Sequence, residues 1–137
     1  MAKKRIAIGV NEGGGPPPGY LWGVALLGFV DKESDFLSED QRKHFVLQLK
    51  DLATHEDPTH SDTLSLRPIE DFHELRDWGG ILGGLNVRIF YGVDKQRRQI
   101  VVLGLIKKKN NGPTLLGDKV RMRSRWRRYQ NGEFGYA

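Results

Sequence analysis

The pattern of apolar and polar positions in the first thirty residues predicts strands interrupted by one loop. Residues 5–10 form a short β-prone run. Residues 11–19 are rich in glycine and proline, so they cannot sustain the hydrogen bonds of a helix or a sheet. Side chains in residues 20–30 alternate in a way that suits a strand lying in a sheet. The sequence therefore predicts an extra N-terminal strand and a Gly/Pro loop ahead of the first strand of the core.

A helical pattern follows this strand. Ser38 and Gln41 have the spacing of a capping box, in which each side chain bonds to the other residue's backbone. The spacing predicts one amphipathic helix over residues 39–54, because apolar residues recur every three or four positions. The main apolar positions of its buried face are Phe45, Leu49 and Leu52.

The second half returns to β pattern. We predict a strand over residues 66–76, then a glycine-rich turn at 79–84 and a strand at 87–91. A polar hairpin over 92–98 leads into the continuous apolar run at 99–106, whose lack of alternation indicates a central strand buried on both faces. Three successive antiparallel strands are expected.

The last segment has two overlapping periodicities. Arginines alternate with a period of two, whereas the apolar residues are spaced at seven, four and three. We predict a helix, because the apolar residues must be buried and the charges need not be. The predicted apolar stripe consists of Leu115, Met122, Trp126 and Tyr129.

The length of 137 residues fits a single α+β domain with a core at about 20–129 and an N-terminal extension at 1–19. The chain contains no cysteine, which excludes disulfides and thiolate chemistry. Its longest apolar stretch, residues 20–30, is well below the roughly 20 residues that a membrane-spanning helix needs. We expect a soluble, cytoplasmic protein that does not enter a membrane.

Charge is distributed unevenly along the chain. Residues 1–68 carry eight Lys or Arg against ten Asp or Glu, whereas residues 69–137 carry fourteen against seven. Twelve of the basic residues lie between Lys95 and Arg128, where Asp118 is the one acid. This asymmetry predicts an extended polyanion or an acidic protein as partner.

A cleft lined by Arg76, Arg88, Lys107 and Lys108 would stabilise the negative charge of a phosphodiester under attack. RNA carries its own nucleophile, the 2′-hydroxyl, so cleavage needs positioning, a base and an acid but no metal or other cofactor. Lys107 or Lys108 is a candidate base, with Glu74 as a rival, and a Tyr or Arg near the C-terminus is a candidate for holding the leaving group. Phosphate binding without catalysis explains the same residues equally well.

Two histidine-containing segments have partial metal-ligand spacing. Residues 55–62 include two histidines five positions apart among acids, and His73–Glu74 begins like a zinc protease motif. Asp77 stands where that motif needs its second histidine. A loop does not converge three or four donors on one point, so we predict solvated loop residues and no metal site.

Three motifs in order carry a family resemblance. They are Phe-His-Glu-Leu-Arg at 72–76, Val-Arg-Ile-Phe-Tyr at 87–91, and an apolar strand that ends in three lysines at 100–109, followed by Pro113. Across residues 37–129 the chain resembles the RelE/HigB superfamily of toxins, in particular its phage-derived branch. The resemblance implies a small antiparallel β-sheet with helices packed on it.

The resemblance also implies a function, namely ribosome-dependent, metal-independent cleavage of messenger RNA by a toxin that pairs with a small antitoxin, often of helix-turn-helix type. Arg76 would be the arginine that contacts phosphate, and Lys107 and Lys108 the basic residues that end the central strand. Some members use a C-terminal tyrosine in the active site, which suggests Tyr129. The full set of expected catalytic residues is Arg76, Lys107, Lys108, Glu74 and Tyr129.

The remaining basic residues are expected to bind the RNA around the site. The candidates are Arg88, Lys109, Lys119, Arg121, Arg123, Arg125, Arg127 and Arg128. Two other hypotheses stay open: a non-catalytic binder of RNA, DNA or ribosome, derived from a phage or mobile element, and an interaction protein whose basic helix docks an acidic chain.

Overall fold

The computed structural model describes residues 5–8, 16–78, 86–108 and 112–134. They form a six-stranded sheet and three helices in the order β1 (Arg5–Ile8), β2 (Gly23–Leu27), α1 (Phe29–Glu33), α2 (Glu39–Leu52), β3 (Ser65–Pro68), β4 (His73–Trp78), β5 (Asn86–Asp94), β6 (Gln99–Lys108) and α3 (Leu116–Gln130). Lys109 and the predicted glycine-rich turn at 79–84 lie outside the described residues.

The strands lie in the order β1-β2-β6-β5-β4-β3. The antiparallel course from β4 through β5 to β6 is confirmed, and β1 adds the predicted extra strand antiparallel to β2. The expectation of a wholly antiparallel sheet is wrong, because β2 and β6 run parallel. The helices α1 and α2 follow β2, and three hairpin reversals through β3 to β6 then return the chain beside β2.

Helices cover both faces of this sheet. On one face α2 buries Phe45, Leu49 and Leu52 against alternate residues of the central strands. On the other face α3 buries Met122, Trp126 and Tyr129. β6 is fully buried from Gln99 to Leu105, as its continuous apolar sequence predicted. The position of β6 between two helical layers leaves only its ends accessible to a ligand.

The predicted boundaries hold for the longer elements and fail at turns. The capping box of Ser38 and Gln41 begins α2 as predicted. The single strand predicted over 66–76 is instead two strands, because the chain reverses between Pro68 and His73 and the Ile69 amide donates to the Phe72 carbonyl. Leu115 is 64% exposed, so it is not part of the buried stripe of α3.

Candidate phosphate site

The candidate site lies where β4, β5 and β6 approach the start of α3. Arg76 pairs with Arg88, and Arg88 with Ile106, so these three side chains share the face of the sheet that α3 covers. Glu74 lies two residues from Arg76 and therefore on the same face. Residues 112–115, here called the strap, cross this group of side chains between β6 and α3.

Glu74 is completely buried, and both its carboxylate oxygens are occupied. Arg76 Nε donates to Oε1 at 2.7 Å, and the Thr114 hydroxyl donates to Oε2 at 2.6 Å. A general base needs a free oxygen in contact with substrate. Glu74 therefore does not fit the role of rival base that the sequence suggested, and it holds the strap in place instead.

Arg88 is also completely buried, which corrects its expected role as an RNA contact. Its Nη1 donates to the Thr114 hydroxyl at 3.1 Å and its Nη2 to the Gly112 carbonyl, while Nη1 lies 3.9 Å from Glu74 Oε2. Burial lowers the pKa of the Arg88 guanidinium, and the charge of Glu74 opposes this effect. The Thr114 hydroxyl thus mediates between a buried cation and a buried anion, and Arg88 fastens the strap.

Lys107 and Lys108 leave β6 in opposite directions. Lys108 Nζ donates to the Pro113 carbonyl at 2.8 Å, on the face that α3 covers. Lys107 pairs with Val87, whose side chain belongs to the α2 face, and its ammonium lies 5.9 Å from the centre of the Phe36 ring. Desolvation lowers the pKa of Lys108, and the nearby positive charge of Arg88 adds to that effect.

A pocket of about 660 Å³ opens at this end of β6. Both lysines line it from their two sides, although their side chains leave the strand in opposite directions. Arg76, whose side chain is 9% exposed and paired with Glu74, is not among the lining residues. The pocket is bordered by Ile106, Lys107, Lys108, Gly112, Pro113, Leu115 and Asp118.

Asp118 contributes a carboxylate to the pocket that the sequence did not single out as functional. Its side chain is 19% exposed, and its Oδ1 accepts a hydrogen bond from Arg121 Nη2 at 3.1 Å. Thr114, the hydroxyl on which the strap depends, was missed as well. Its sole signal in the sequence is its position after Pro113, because no spacing rule links it to Glu74, which lies 40 residues earlier.

Tyr129 lies at the opposite end of the sheet from the lysines. Its hydroxyl donates to Asp94 Oδ2 at 2.7 Å, and its ring stacks on Trp126 with centroids 5.5 Å apart. Asp94 pairs with Gln99, the first residue of β6, whereas Lys108 is the last. Nine residues of strand separate those ends by about 30 Å. Tyr129 is therefore not part of a site with Lys108, which corrects its expected catalytic role.

Arg125 is buried as well, which corrects its expected role in RNA binding. Its Nη2 lies 2.9 Å from Glu33 Oε2, and its Nη1 donates to the Leu103 carbonyl at 3.0 Å. The pairing of β2 with β6 stops at Val102, so within the described ranges the backbone of β6 has no strand partner on that side beyond this point. Arg125 and Glu33 supply these missing partners, since Glu33 Oε1 also accepts the Leu105 amide at 3.1 Å.

The other basic residues of α3 are at least partly exposed. Arg123 forms a pair with Glu70, and this hydrogen bond lowers the pKa of Glu70 and raises that of Arg123. Arg128 Nε lies 3.3 Å from Glu133 Oε1. These residues leave a positive surface along the outer side of the helix, formed by Lys119, Arg121, Arg123, Arg127 and Arg128.

The histidine-rich loop is held by internal hydrogen bonds. His55 Nδ1 lies 2.8 Å from the Asp51 carbonyl and Nε2 lies 2.6 Å from the Ser61 hydroxyl. Over the part of the chain that the structure describes, no three His, Cys, Asp or Glu side chains converge as metal ligands. In the same residues, no helix is long and apolar enough to cross a membrane.

No protein-family model matches this sequence, and no curated protein is significantly similar to it.

Proposed function

We propose that this protein is a metal-independent endoribonuclease, the toxin of a toxin-antitoxin pair, which cleaves messenger RNA on the ribosome. The observation that carries the proposal is the pocket at the end of β6, where Lys107 and Lys108 approach one space from two sides. Such a space suits a phosphodiester, because two ammonium groups attract its charge and stabilise the extra charge that develops during attack. The order of the three sequence motifs supports the choice of RNA and ribosome.

The pocket offers a group for each step of the reaction. The 2′-hydroxyl oxygen attacks phosphorus while its proton passes to the Asp118 carboxylate. The bond from phosphorus to the 5′-oxygen breaks, and that oxygen takes a proton from the exposed ammonium of Lys107. Lys108 binds a non-bridging phosphate oxygen, with the charge of Arg76 behind it. The products are a 2′,3′-cyclic phosphate and a 5′-hydroxyl.

A toxin of this kind acts in the cytoplasm and needs an antitoxin, for which we propose a small helix-turn-helix protein. Three large apolar side chains beside the pocket are exposed, namely Leu115, Leu116 and Val120 at 64%, 72% and 46%. Exposed apolar groups that adjoin one another favour a protein partner over bulk water. The surrounding lysines and arginines favour an acidic partner.

Induction of the chain in a bacterial host tests the proposal. Wild type should arrest growth and produce new 5′-hydroxyl ends within translated messages, and purified protein should cleave ribosome-bound message equally well in EDTA. The Lys107→Ala, Lys108→Ala double variant should lose at least about 100-fold in cleavage rate. Lys50→Ala, which removes an exposed lysine from α2, serves as the control. Undiminished cleavage by the double variant would remove the lysines from the mechanism.

A non-catalytic role in binding RNA or ribosomes is the second candidate. It is favoured by the occupied oxygens of Glu74 and by the position of Tyr129 far from the lysines, because both leave the pocket with fewer acid-base groups than the sequence suggested. This role predicts RNA binding that weakens steeply with salt and produces no new RNA ends.

A further inference from the structure

We propose that Thr114 is a positioning residue: by fastening the strap to Glu74 and Arg88, it fixes the Pro113 carbonyl that orients the Lys108 ammonium toward the phosphate. The inference rests on the proposed function, since it assigns a task to residues around the same pocket. It concerns three side chains that do not touch the substrate, and it explains why two of them are buried charges.

The ammonium of Lys108 is restrained by a single carbonyl. A lysine side chain has four rotatable carbon–carbon or carbon–nitrogen bonds beyond Cα, so an exposed ammonium samples many positions. Here Nζ donates to the Pro113 carbonyl at 2.8 Å, which restricts the head group and leaves two of its three N–H donors for a ligand. The carbonyl therefore determines where the ammonium stands in the pocket.

The Pro113 carbonyl is itself held through the residues on either side of it. Pro113 has no amide hydrogen and cannot tie itself to the sheet through that group. Its two neighbours do so instead: the Gly112 carbonyl accepts from Arg88 Nη2, and the Thr114 hydroxyl donates to Glu74 Oε2 at 2.6 Å. Both anchors, Arg88 and Glu74, are fully buried, so their own positions are fixed by packing.

The Thr114 hydroxyl joins these two anchors to each other. Its oxygen accepts from Arg88 Nη1 at 3.1 Å while its hydrogen goes to Glu74, whereas the direct distance between Nη1 and Oε2 is 3.9 Å. Loss of the hydroxyl would leave a buried cation and a buried anion without their shared partner. The strap would then lose its attachment at Thr114 and the ammonium its fixed acceptor.

The test compares Thr114→Val, which keeps the shape and removes the hydroxyl, with Thr114→Ser, which keeps the hydroxyl. The direct measurement is the scalar coupling through the hydrogen bond between ¹⁵Nζ of Lys108 and the ¹³C carbonyl of Pro113 in NMR spectra of the full chain. We expect the coupling in wild type and Thr114→Ser and its loss in Thr114→Val. The cleavage rate should fall about 100-fold in Thr114→Val, with KM nearly unchanged, because a misplaced group slows the reaction more than it weakens binding. Thr54→Val, in the turn after α2, is the matched control and should match wild type.

A folded Thr114→Val protein that retains the coupling, or a wild type that lacks it, would overturn the inference. If Thr114→Val does not fold, Arg88→Lys replaces it, because a lysine cannot reach Gly112 and Thr114 together; an unchanged coupling there would also overturn it. The coupling does not depend on cleavage. A wild type that shows the expected coupling pattern but cuts no RNA would refute the proposed ribonuclease and leave the positioning of Lys108 supported.

Discussion

Buried and exposed cations in this protein do different work although the sequence writes them with the same residue types. Arg88 and Arg125 are buried, and each pairs with a glutamate while donating to a main-chain carbonyl. Arg127 and Lys107 are exposed. The buried pair shows arginine completing the hydrogen bonding of backbone that has no strand partner, which only a long side chain with several donors can do. Function is therefore to be sought among the exposed cations.

The largest expected effect is on stability when Arg125 is replaced. Arg125→Ala leaves the Glu33 carboxylate and the Leu103 carbonyl without a cation, so the free energy of unfolding should fall by about 3–5 kcal/mol. Arg127→Ala, two positions along the same helix, should change it by less than about 0.5 kcal/mol. Urea denaturation measures both, and equal effects would remove the distinction between the two arginines.

A smaller loss is expected from filling the space beneath Arg125. A Cβ at Gly104 would lie 2.5 Å from Met122 Cε and 2.6 Å from Arg125 Nη1, so Gly104→Ala should destabilise by about 1–3 kcal/mol. Gly117→Ala is the control in α3, since its Cβ would meet nothing within 4 Å and alanine favours helix. Thermal unfolding should rank them oppositely around wild type. A tolerated Gly104→Ala would mean that Arg125 is not closely packed.

Replacement of exposed arginines should change RNA binding and leave stability unaltered. For each phosphate that the protein no longer neutralises, Arg121→Ala combined with Arg127→Ala should reduce the slope of log K against log salt by about 0.7. Fluorescence anisotropy with a single-stranded RNA at several salt concentrations measures the slope. The same slope as wild type would place the RNA elsewhere on the surface.

The smallest effect concerns the exposed pair of Arg123 and Glu70. The hydrogen bond from Arg123 holds the pKa of Glu70 below its ordinary value of 4.5. Because this pKa is lowered on folding, the pair's contribution to stability is present above pH 4.5 and is lost as pH falls through the folded-state pKa. An NMR titration of the Glu70 carboxyl should show the lowered pKa in wild type and its return toward 4.5 in Arg123→Ala. No change between them would mean that the pair does not form in solution.

The sequence was sufficient where a pattern is local. The capping box begins α2, and the apolar run of β6 does lie at the centre of the sheet. It was insufficient where contacts join distant segments. Alternation cannot tell a parallel neighbour from an antiparallel one, so the pairing of β2 with β6 was missed.

The site was predicted only in part for the same reason. The two lysines at the end of β6 do line a pocket, because adjacent residues in sequence stay adjacent in space. Nothing in the sequence distinguished Arg125, which meets Glu33 from 92 residues away, from Arg127, which is exposed. Tyr129 was assigned to the lysines without knowledge that α3 carries it toward the start of β6.

Attack by the 2′-hydroxyl of messenger RNA is the central claim, and it can be tested on one atom. The cleavage position is first mapped on a message bound to ribosomes, and the same message is then made with a single 2′-deoxynucleotide on the 5′ side of that position. We predict that wild-type protein cuts the ribonucleotide message to a 2′,3′-cyclic phosphate end and leaves the deoxy-substituted bond intact. Equal cleavage of both messages, or of neither, would contradict this claim.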